Sequence, residues 1–157
     1  MAEGKPAAIV AMAAPSRSVT IYPPEYAGPL QGRTKRALGD LFALTQFGVN
    51  LTELAPGSSS SERHWHRIED EFIYVLEGEV TLVDDSGEHV MTPGMCAGFR
   101  AGVPNGHKLV NRSARPARFL EVGTRSPEET ATYPDADMVG IKTGGKFAFT
   151  RKDGTPY

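Results

Sequence analysis

The chain of 157 residues contains one cysteine, one tryptophan and four histidines. A single thiol cannot form an internal disulfide, so nothing in the sequence requires an oxidising compartment. Cys96 lies in an apolar run and is predicted to be a buried, inert thiol. No segment reaches the roughly 20 apolar residues of a membrane span. The apolar stretch 7–14 is a poor signal peptide because it is short and Pro15 follows it. We therefore expect a cytoplasmic location and no membrane partner.

Excess charge is also missing, because the formal net charge is only −2. Nucleic-acid binding needs a clustered basic face, and no such face is evident in this composition. Arg33, Lys35 and Arg36 do cluster, but exposed charge is the norm, and we interpret them as part of a solvated loop. We therefore expect no nucleic-acid partner.

Glycine and proline are plentiful, with 17 and 12 residues. Short runs with apolar or alternating character follow one another, separated by turn residues, and no amphipathic helix stands out. Regularly spaced short strands predict an all-β sandwich or barrel. The predicted strands are 19–22, 41–47, 49–54, 62–66, 72–76, 80–83, 89–91, 96–99, 107–110 and 119–122.

The length fits a single domain. We expect a flexible N-terminal arm over residues 1–18, a barrel over 19–123 and a C-terminal tail over 124–157 that wraps the barrel. A loop is predicted for residues 25–40, and a possible late strand for 146–151.

The residues with chemical potential follow the loop at Gly57. His64 and His66 are two positions apart, so on a strand both imidazoles point to one face while Trp65 points to the other. Glu71 opens the next strand and is expected to face inward beside them. His107 begins a later strand and could supply a third imidazole from across the barrel.

Three neutral imidazoles and a carboxylate suit a borderline divalent ion, here zinc, iron, manganese or nickel. Octahedral coordination by four protein ligands would leave two adjacent positions open for water or substrate. A structural zinc site would instead be closed and usually built from cysteines. One divalent ion per chain is therefore predicted.

Two blocks of the sequence resemble the cupin superfamily. The first is Gly57…His64-Trp65-His66…Glu71…Gly78, and the second is Gly94…Gly102…His107…Asn111. The resemblance implies a double-stranded β-helix, or jelly-roll barrel, with His64, His66, Glu71 and His107 as metal ligands. Longer phrases, such as "RHWHRIEDEFIYVLEGEVTLV" and the closing "FTRKDGTPY", are similar to a bacterial group of small single-domain cupins of generally unassigned function.

The second block departs from the common cupin pattern in two ways. Many cupins have the last histidine soon after the Gly-x-Pro turn, where this chain has Asn105, so either His107 or Asn105 could occupy the fourth ligand position. Arg100 replaces a proline often found before Gly102, and its charge near the barrel mouth could select anionic ligands. Arg100 and Asn105 are thus the candidate substrate-binding residues.

Three functions stay open at this level. The leading hypothesis is a metal-dependent enzyme that acts on a small oxygen-rich molecule, such as a carboxylate or sugar acid, by Lewis-acid catalysis. A non-catalytic module that binds or senses a metal or small ligand is the second, and an iron-dependent dioxygenase is the third. No catalytic residue is assigned beyond the metal ligands.

A homodimer is expected, because small cupins are commonly dimers and the edge strands of a barrel must be covered. The predicted strands Val19–Tyr22 and Leu41–Phe47 could pair across a two-fold axis and form an isologous interface.

Overall fold

The computed structural model describes residues 6–157, so residues 1–5 of the predicted arm lie outside the described part. Twelve strands dominate this part of the chain, and the helices are short. The helices are α1 (Pro24–Ala27) and α2 (Leu38–Leu41), with single 3-10 turns at Ala11–Ala13 and Gly28–Leu30. The strands are β1 (Arg33–Ala37), β2 (Phe47–Leu54), β3 (Trp65–His66), β4 (Glu71–Glu77), β5 (Val80–Asp84), β6 (Gly87–Met91), β7 (Cys96–Phe99), β8 (Lys108–Val110), β9 (Ala117–Thr124), β10 (Glu129–Tyr133), β11 (Met138–Thr143) and β12 (Lys146–Thr150).

The strands form three antiparallel sheets. One has five strands in the order β1-β2-β9-β4-β7, one has three in the order β6-β5-β8, and one has four in the order β12-β11-β10-β3. Two isolated bridges link the segment before β3 to β8. Ser59 pairs with Val110 in β8, and His64 pairs with His107, the residue directly before β8. The all-β fold predicted from the sequence is confirmed.

The core lies between the five-stranded and the three-stranded sheets. Its side chains alternate along the strands, as expected when one face of each strand is covered. The buried residues of this cluster are Leu54, Ile73, Val75, Val80, Leu82, Met91, Leu109, Ala117 and Phe119. Asn111 is fully buried beside this core, and its amide donates to the carbonyl oxygens of Leu54 (2.9 Å) and Arg115 (2.7 Å). The second motif's asparagine therefore fastens backbone segments together.

Three local predictions near the N-terminus were wrong. Residues 19–22 form no strand, and Val19 and Ile21 are exposed. The predicted strand 41–47 is instead the end of α2 followed by a turn, with β2 starting at Phe47. The predicted loop 25–40 contains β1, which pairs along its whole length with β2. Tertiary pairing stabilises β1 although its sequence is polar, which propensity alone does not reveal.

Residues 124–157 carry most of the four-stranded sheet. β10, β11 and β12 form an antiparallel meander, and β10 also pairs with β3, with Ala131 opposite His66. A small cluster of buried Ala131, Tyr133, Ala136 and Met138 packs beneath this sheet. The strand 146–151 expected from the sequence corresponds to β12, whereas β10 and β11 were missed. The division into arm, barrel and tail stays a prediction.

Two further observations concern the surface. Cys96 is exposed on the edge strand β7, so the prediction of a buried thiol was wrong. Within residues 6–157, no helix is long and apolar enough to cross a membrane.

Candidate metal centre

The structure brings together the four residues singled out in the sequence. His64 precedes β3 and His66 ends it, and their Nε2 atoms lie 3.1 Å apart. Glu71, the first residue of β4, places Oε2 3.5 Å from the Nε2 of His66 and 3.8 Å from the Nε2 of His64. The chain between β3 and β4 is short, so the carboxylate is positioned beside the two imidazoles by local geometry.

His107 reaches the same place through backbone pairing. His64 and His107 exchange two hydrogen bonds, the His107 amide donating to the His64 carbonyl oxygen at 2.8 Å and the reverse at 3.1 Å. Directly paired residues of an antiparallel bridge project to the same side, so the two imidazoles lie side by side with ring centroids 5.1 Å apart. The Nε2 of His107 is 2.8 Å from the Oε2 of Glu71.

The donor set fits a divalent ion. Atoms bound to one ion at about 2.1 Å lie about 3.0–3.4 Å from one another in octahedral or tetrahedral geometry. The His64–His66, His66–Glu71 and His107–Glu71 distances are close to this range, and the His64–Glu71 distance is somewhat longer. The donor atoms of His64, His66 and Glu71 all lie close enough to one another to share an ion, and His107 joins this group through its 2.8 Å contact with Glu71.

Hydrogen bonds at the far side of the rings support this fit. The Nδ1 of His64 is 2.9 Å from the carbonyl oxygen of Glu62, so Nδ1 carries the proton and Nε2 presents a lone pair. The Nδ1 of His107 lies 3.4 Å from the carbonyl oxygen of Asn105. Imidazole lone pairs that point toward Glu71 repel one another and the Glu71 carboxylate. A proton or a cation between these groups removes the repulsion.

The electrostatics favour the metal-binding protonation states. Burial lowers the pKa of His64 to about 4, so this imidazole is neutral at physiological pH. Burial alone would raise the pKa of Glu71, but the hydrogen bond from His107 and the three neighbouring imidazoles outweigh it, and the pKa falls well below the usual range. A neutral imidazole and an ionised carboxylate are the forms that coordinate metals.

Aromatic rings hold two of the imidazoles in place. Phe99 on β7 stacks on His107 with the ring centroids 3.5 Å apart and the planes 4° from parallel. Tyr133 on β10 stacks on His64 with centroids 5.4 Å apart. Because packed rings lose little further freedom when a ligand binds, this arrangement pre-organises the centre.

Glu129 on β10 lies behind His66 and was missed in the sequence. Its side chain is fully buried and accepts backbone hydrogen bonds from Arg67, Ile68, Glu69 and Thr130 at 2.6–3.1 Å. Its Oε2 is 3.8 Å from the Nδ1 of His66, a buried nitrogen with no hydrogen-bond partner among the described residues. Glu129 therefore shapes the loop that joins His66 to Glu71. Nothing in its local sequence distinguishes it from an exposed strand glutamate.

A second acidic group is a poor candidate for a metal. His66, Glu69 and Glu129 also lie close enough to share an ion. However, the oxygens of Glu129 already accept backbone amides, and Glu69 binds the ammonium of Lys142 at 2.5 Å and the amide of Ser126 at 2.7 Å. These carboxylates are satisfied by donors from the protein itself.

A cavity of about 210 Å³ opens beside the four residues. His66, Glu71 and His107 line it, and so do the two candidate substrate-binding residues, Arg100 and Asn105. Arg100 is exposed. Both polar atoms of the Asn105 amide are engaged, Oδ1 by the Asp85 backbone amide at 2.9 Å and Nδ2 by Asp84 at 3.3 Å. These contacts make His107 the better candidate for the fourth ligand.

Comparison with known proteins identifies the family. The cupin domain model matches residues 50–123. A tetracenomycin polyketide synthase protein, TcmJ of Streptomyces glaucescens, is 33% identical over 119 residues, which is 69% of this chain and 73% of that protein. The chain belongs to the cupin family.

Two solved structures resemble this cupin along most of its length. A sugar phosphate isomerase from Silicibacter pomeroyi is 52% identical, covers 93% of each chain and superposes with a TM-score of 0.89. A putative sugar phosphate isomerase from Acidithiobacillus ferrooxidans is 26% identical, covers 80% of each chain and has a TM-score of 0.72.

Proposed function

We propose that this cupin is a metal-dependent isomerase of a small phosphorylated sugar, with one divalent ion held by His64, His66, Glu71 and His107. The observation that carries the proposal is the convergence of three imidazoles and one carboxylate beside an open cavity. The likeness to the Silicibacter protein, at 52% identity over 93% of the chain, supports the substrate class. This narrows the oxygen-rich substrate predicted from the sequence to a sugar phosphate.

The proposed chemistry interconverts an aldose and a ketose phosphate. A proton leaves the carbon next to the carbonyl and one is added at the carbonyl carbon, while the hydroxyl proton passes to the former carbonyl oxygen. A divalent ion, when bound, would supply Lewis acidity that stabilises the negative charge developing on the substrate oxygens. The chain's own residues keep His64 neutral, orient His107 against Phe99 and leave the cavity open on the side of His66. Glu121, paired with Lys35 at 2.7 Å, lines a neighbouring cavity with His64.

Elemental analysis combined with isotope exchange tests this function. Aldose and ketose phosphates are incubated with the purified protein in D₂O, and deuterium uptake next to the carbonyl carbon is followed by proton NMR. We expect one divalent ion per chain and metal-dependent deuterium uptake, both lost in His64→Ala and in Glu71→Gln. Arg112→Gln, a change in an exposed ion pair with Glu88, is the control and should retain both.

The other outcomes distinguish the remaining hypotheses. Iron together with oxygen consumption would favour the dioxygenase, and bound metal without turnover of any sugar phosphate would favour a binding module. Metal content that is unchanged in His64→Ala and Glu71→Gln would contradict the proposed centre itself. The cytoplasmic location and the absence of a nucleic-acid partner stay predictions.

We also propose a homodimer, formed through the outer face of the five-stranded sheet. Phe72, Tyr74 and Leu76 alternate along β4 with 42, 39 and 45% of their surface exposed. The exposed Cys96 lies opposite Tyr74 on β7, so both side chains belong to this face. Contiguous exposed apolar surface of this kind typically marks an interaction site. Residues 19–22 and 41–46 form no strand that could pair across a two-fold axis, so we assign the interface to the exposed face of β4 instead.

Residues near the N-terminus expose further apolar groups. Val10, Val19 and Ile21 are 73, 82 and 65% exposed, which is unusual for such side chains in a folded chain. The proposed dimer interface should bury more than about 1,000 Å² in total.

Light scattering and thiol reactivity test the dimer. The mass should be twice the 16.9 kDa of one chain, and Cys96, the single thiol, should react slowly with a thiol reagent. Tyr74→Asp should give monomers with a fast-reacting Cys96, whereas Val90→Asp, at an exposed valine of β6, should leave the dimer intact. A wild-type mass of one chain at micromolar concentration would refute the dimer.

A further inference from the structure

A second cavity, of about 140 Å³, lies on the inner side of the proposed metal centre. It shares Glu71, Phe99 and His107 with the larger cavity, so the two spaces meet at the centre. Its other lining residues include five donors, Tyr22, Arg33, Lys35, Ser61 and Lys108, and one carboxylate, Glu121, which is paired with Lys35 at 2.7 Å. A ligand at the centre would therefore face more cationic groups than carboxylates on this wall.

Arg33 is the donor in this wall whose charge is least compensated. Its Nη1 donates to the carbonyl oxygen of Ser60 at 2.6 Å, which fixes the guanidinium in place. No carboxylate of residues 6–157 forms an ion pair with Arg33, whereas Lys35 is paired with Glu121 at 2.7 Å. Burial lowers the pKa of Arg33, which means that its charge is poorly solvated. A half-buried guanidinium in this condition gains strongly from a bound anion.

The remaining donors are arranged around Arg33. The hydroxyl of Ser61 has only a long contact, 3.3 Å, to the hydroxyl of Ser60. The ammonium of Lys108 is 3.8 Å from its carboxylate neighbour Glu62, beyond hydrogen-bond distance. The hydroxyl of Tyr22 is 3.2 Å from that of Tyr133. Donors on different elements can approach an anion from several directions.

We propose that Arg33 binds the phosphate group of the substrate in this inner cavity, with Ser61 and Lys108 as further donors. The proposal rests on the proposed function, because it places the remainder of the sugar phosphate against His64, Glu71 and His107. A planar carboxylate is satisfied by one guanidinium fork, whereas the three oxygens of a phosphate need donors from several sides. The distribution of donors over β1, β8 and the loop before β3 therefore favours phosphate over carboxylate.

Calorimetric titration with inorganic phosphate tests this subsite. Wild-type protein is titrated in the chelator-treated and in the zinc-loaded form, and acetate is the probe for a carboxylate. We expect phosphate to bind both forms and acetate to bind at least tenfold more weakly. In Arg33→Gln, phosphate affinity should fall at least tenfold with metal content unchanged, and Arg33→Lys should show an intermediate loss. Arg112→Gln, an exposed arginine far from the cavity, should bind phosphate like the wild type.

Each result has a distinct meaning. Phosphate affinity unchanged in both Arg33 variants, or absent in the wild type, would overturn the subsite even if metal binding and isomerase activity were found. Acetate that binds as tightly as phosphate would overturn the choice of phosphate. If the wild-type protein bound no metal, the proposed function would be contradicted. The phosphate subsite would still stand, because phosphate affinity is measured separately on the chelator-treated protein. Circular dichroism and thermal melts show whether Arg33→Gln folds. If it does not fold, the phosphate affinity of Arg33→Lys decides whether the subsite exists.

Discussion

Replacing Glu129 with glutamine should destabilise the protein and weaken metal binding together. The buried carboxylate accepts four backbone N–H groups, three of them from the loop that connects β3 with β4. In Glu129→Gln, one oxygen becomes an NH₂ group that faces these donors. If Oε2 is the oxygen replaced, the amide of Glu69, which contacts only Oε2 at 2.6 Å, loses its acceptor, whereas the Ile68 amide keeps Oε1. If Oε1 is replaced, the amides of Arg67 and Thr130 lose theirs, so at least one buried N–H is left unsatisfied.

The magnitude follows from the cost of buried unsatisfied donors. A hydrogen bond to a charged group contributes about 1.5–3 kcal/mol, so the loss of at least one should cost about 1.5–3 kcal/mol or more. For a chain of this size that corresponds to a fall in Tm of at least roughly 4–10 °C. Metal affinity should also fall by about 10–100-fold, the usual effect of removing a group that supports a ligand. The second effect arises because the same loop fixes the distance between His66 and Glu71.

The assay compares thermal melts of the metal-free protein and zinc titrations of the folded protein. Glu128→Gln is the matched control, since this neighbouring glutamate is exposed and accepts one backbone amide, that of Gly144, at 2.9 Å. The control should change Tm by no more than a few degrees and leave the zinc affinity unchanged. If Glu129→Gln melted within 3 °C of the wild type, roughly 1 kcal/mol, the reasoning about buried donors would be refuted. If it melted lower but bound zinc equally well, the link between the loop and the centre would be refuted.

Two further predictions concern the fold. His64→Ala and His66→Ala should abolish metal binding but leave the far-ultraviolet circular dichroism and a cooperative melt, because the apolar core lies apart from the centre; collapse of the chelator-treated protein would show that the ion is structural. Gly78→Ala should cost more than 2 kcal/mol, since a Cβ there would lie 2.5 Å from the carbonyl oxygen of Pro116. Gly57→Ala, with a similar positive φ but nothing within 4 Å of the added Cβ, is the control and isolates the steric part of that cost. Equal denaturation midpoints for these two variants would contradict the steric explanation.

Much of the candidate site could be predicted because it depends on short-range geometry. The alternation of a strand places His64 and His66 on one face whatever the rest of the chain does, and Glu71 follows after a short connection. Turn residues such as Gly78, which has a φ of +73°, also marked the strand ends correctly. The same short-range patterns identified the all-β fold, and the spacing of the second motif pointed to His107.

Other features were decided only by tertiary structure. The choice between His107 and Asn105 depends on backbone pairing with His64 and on the contacts of Asn105 with Asp84 and Asp85. Arg33 was interpreted as a solvated charge, yet β1 pairs with β2 and turns this residue toward the inner cavity. Glu129 is buried because β10 pairs with β3. Sequence periodicity reports which residues share a face, but long-range pairing decides what that face meets, because the partner strand comes from a distant part of the chain.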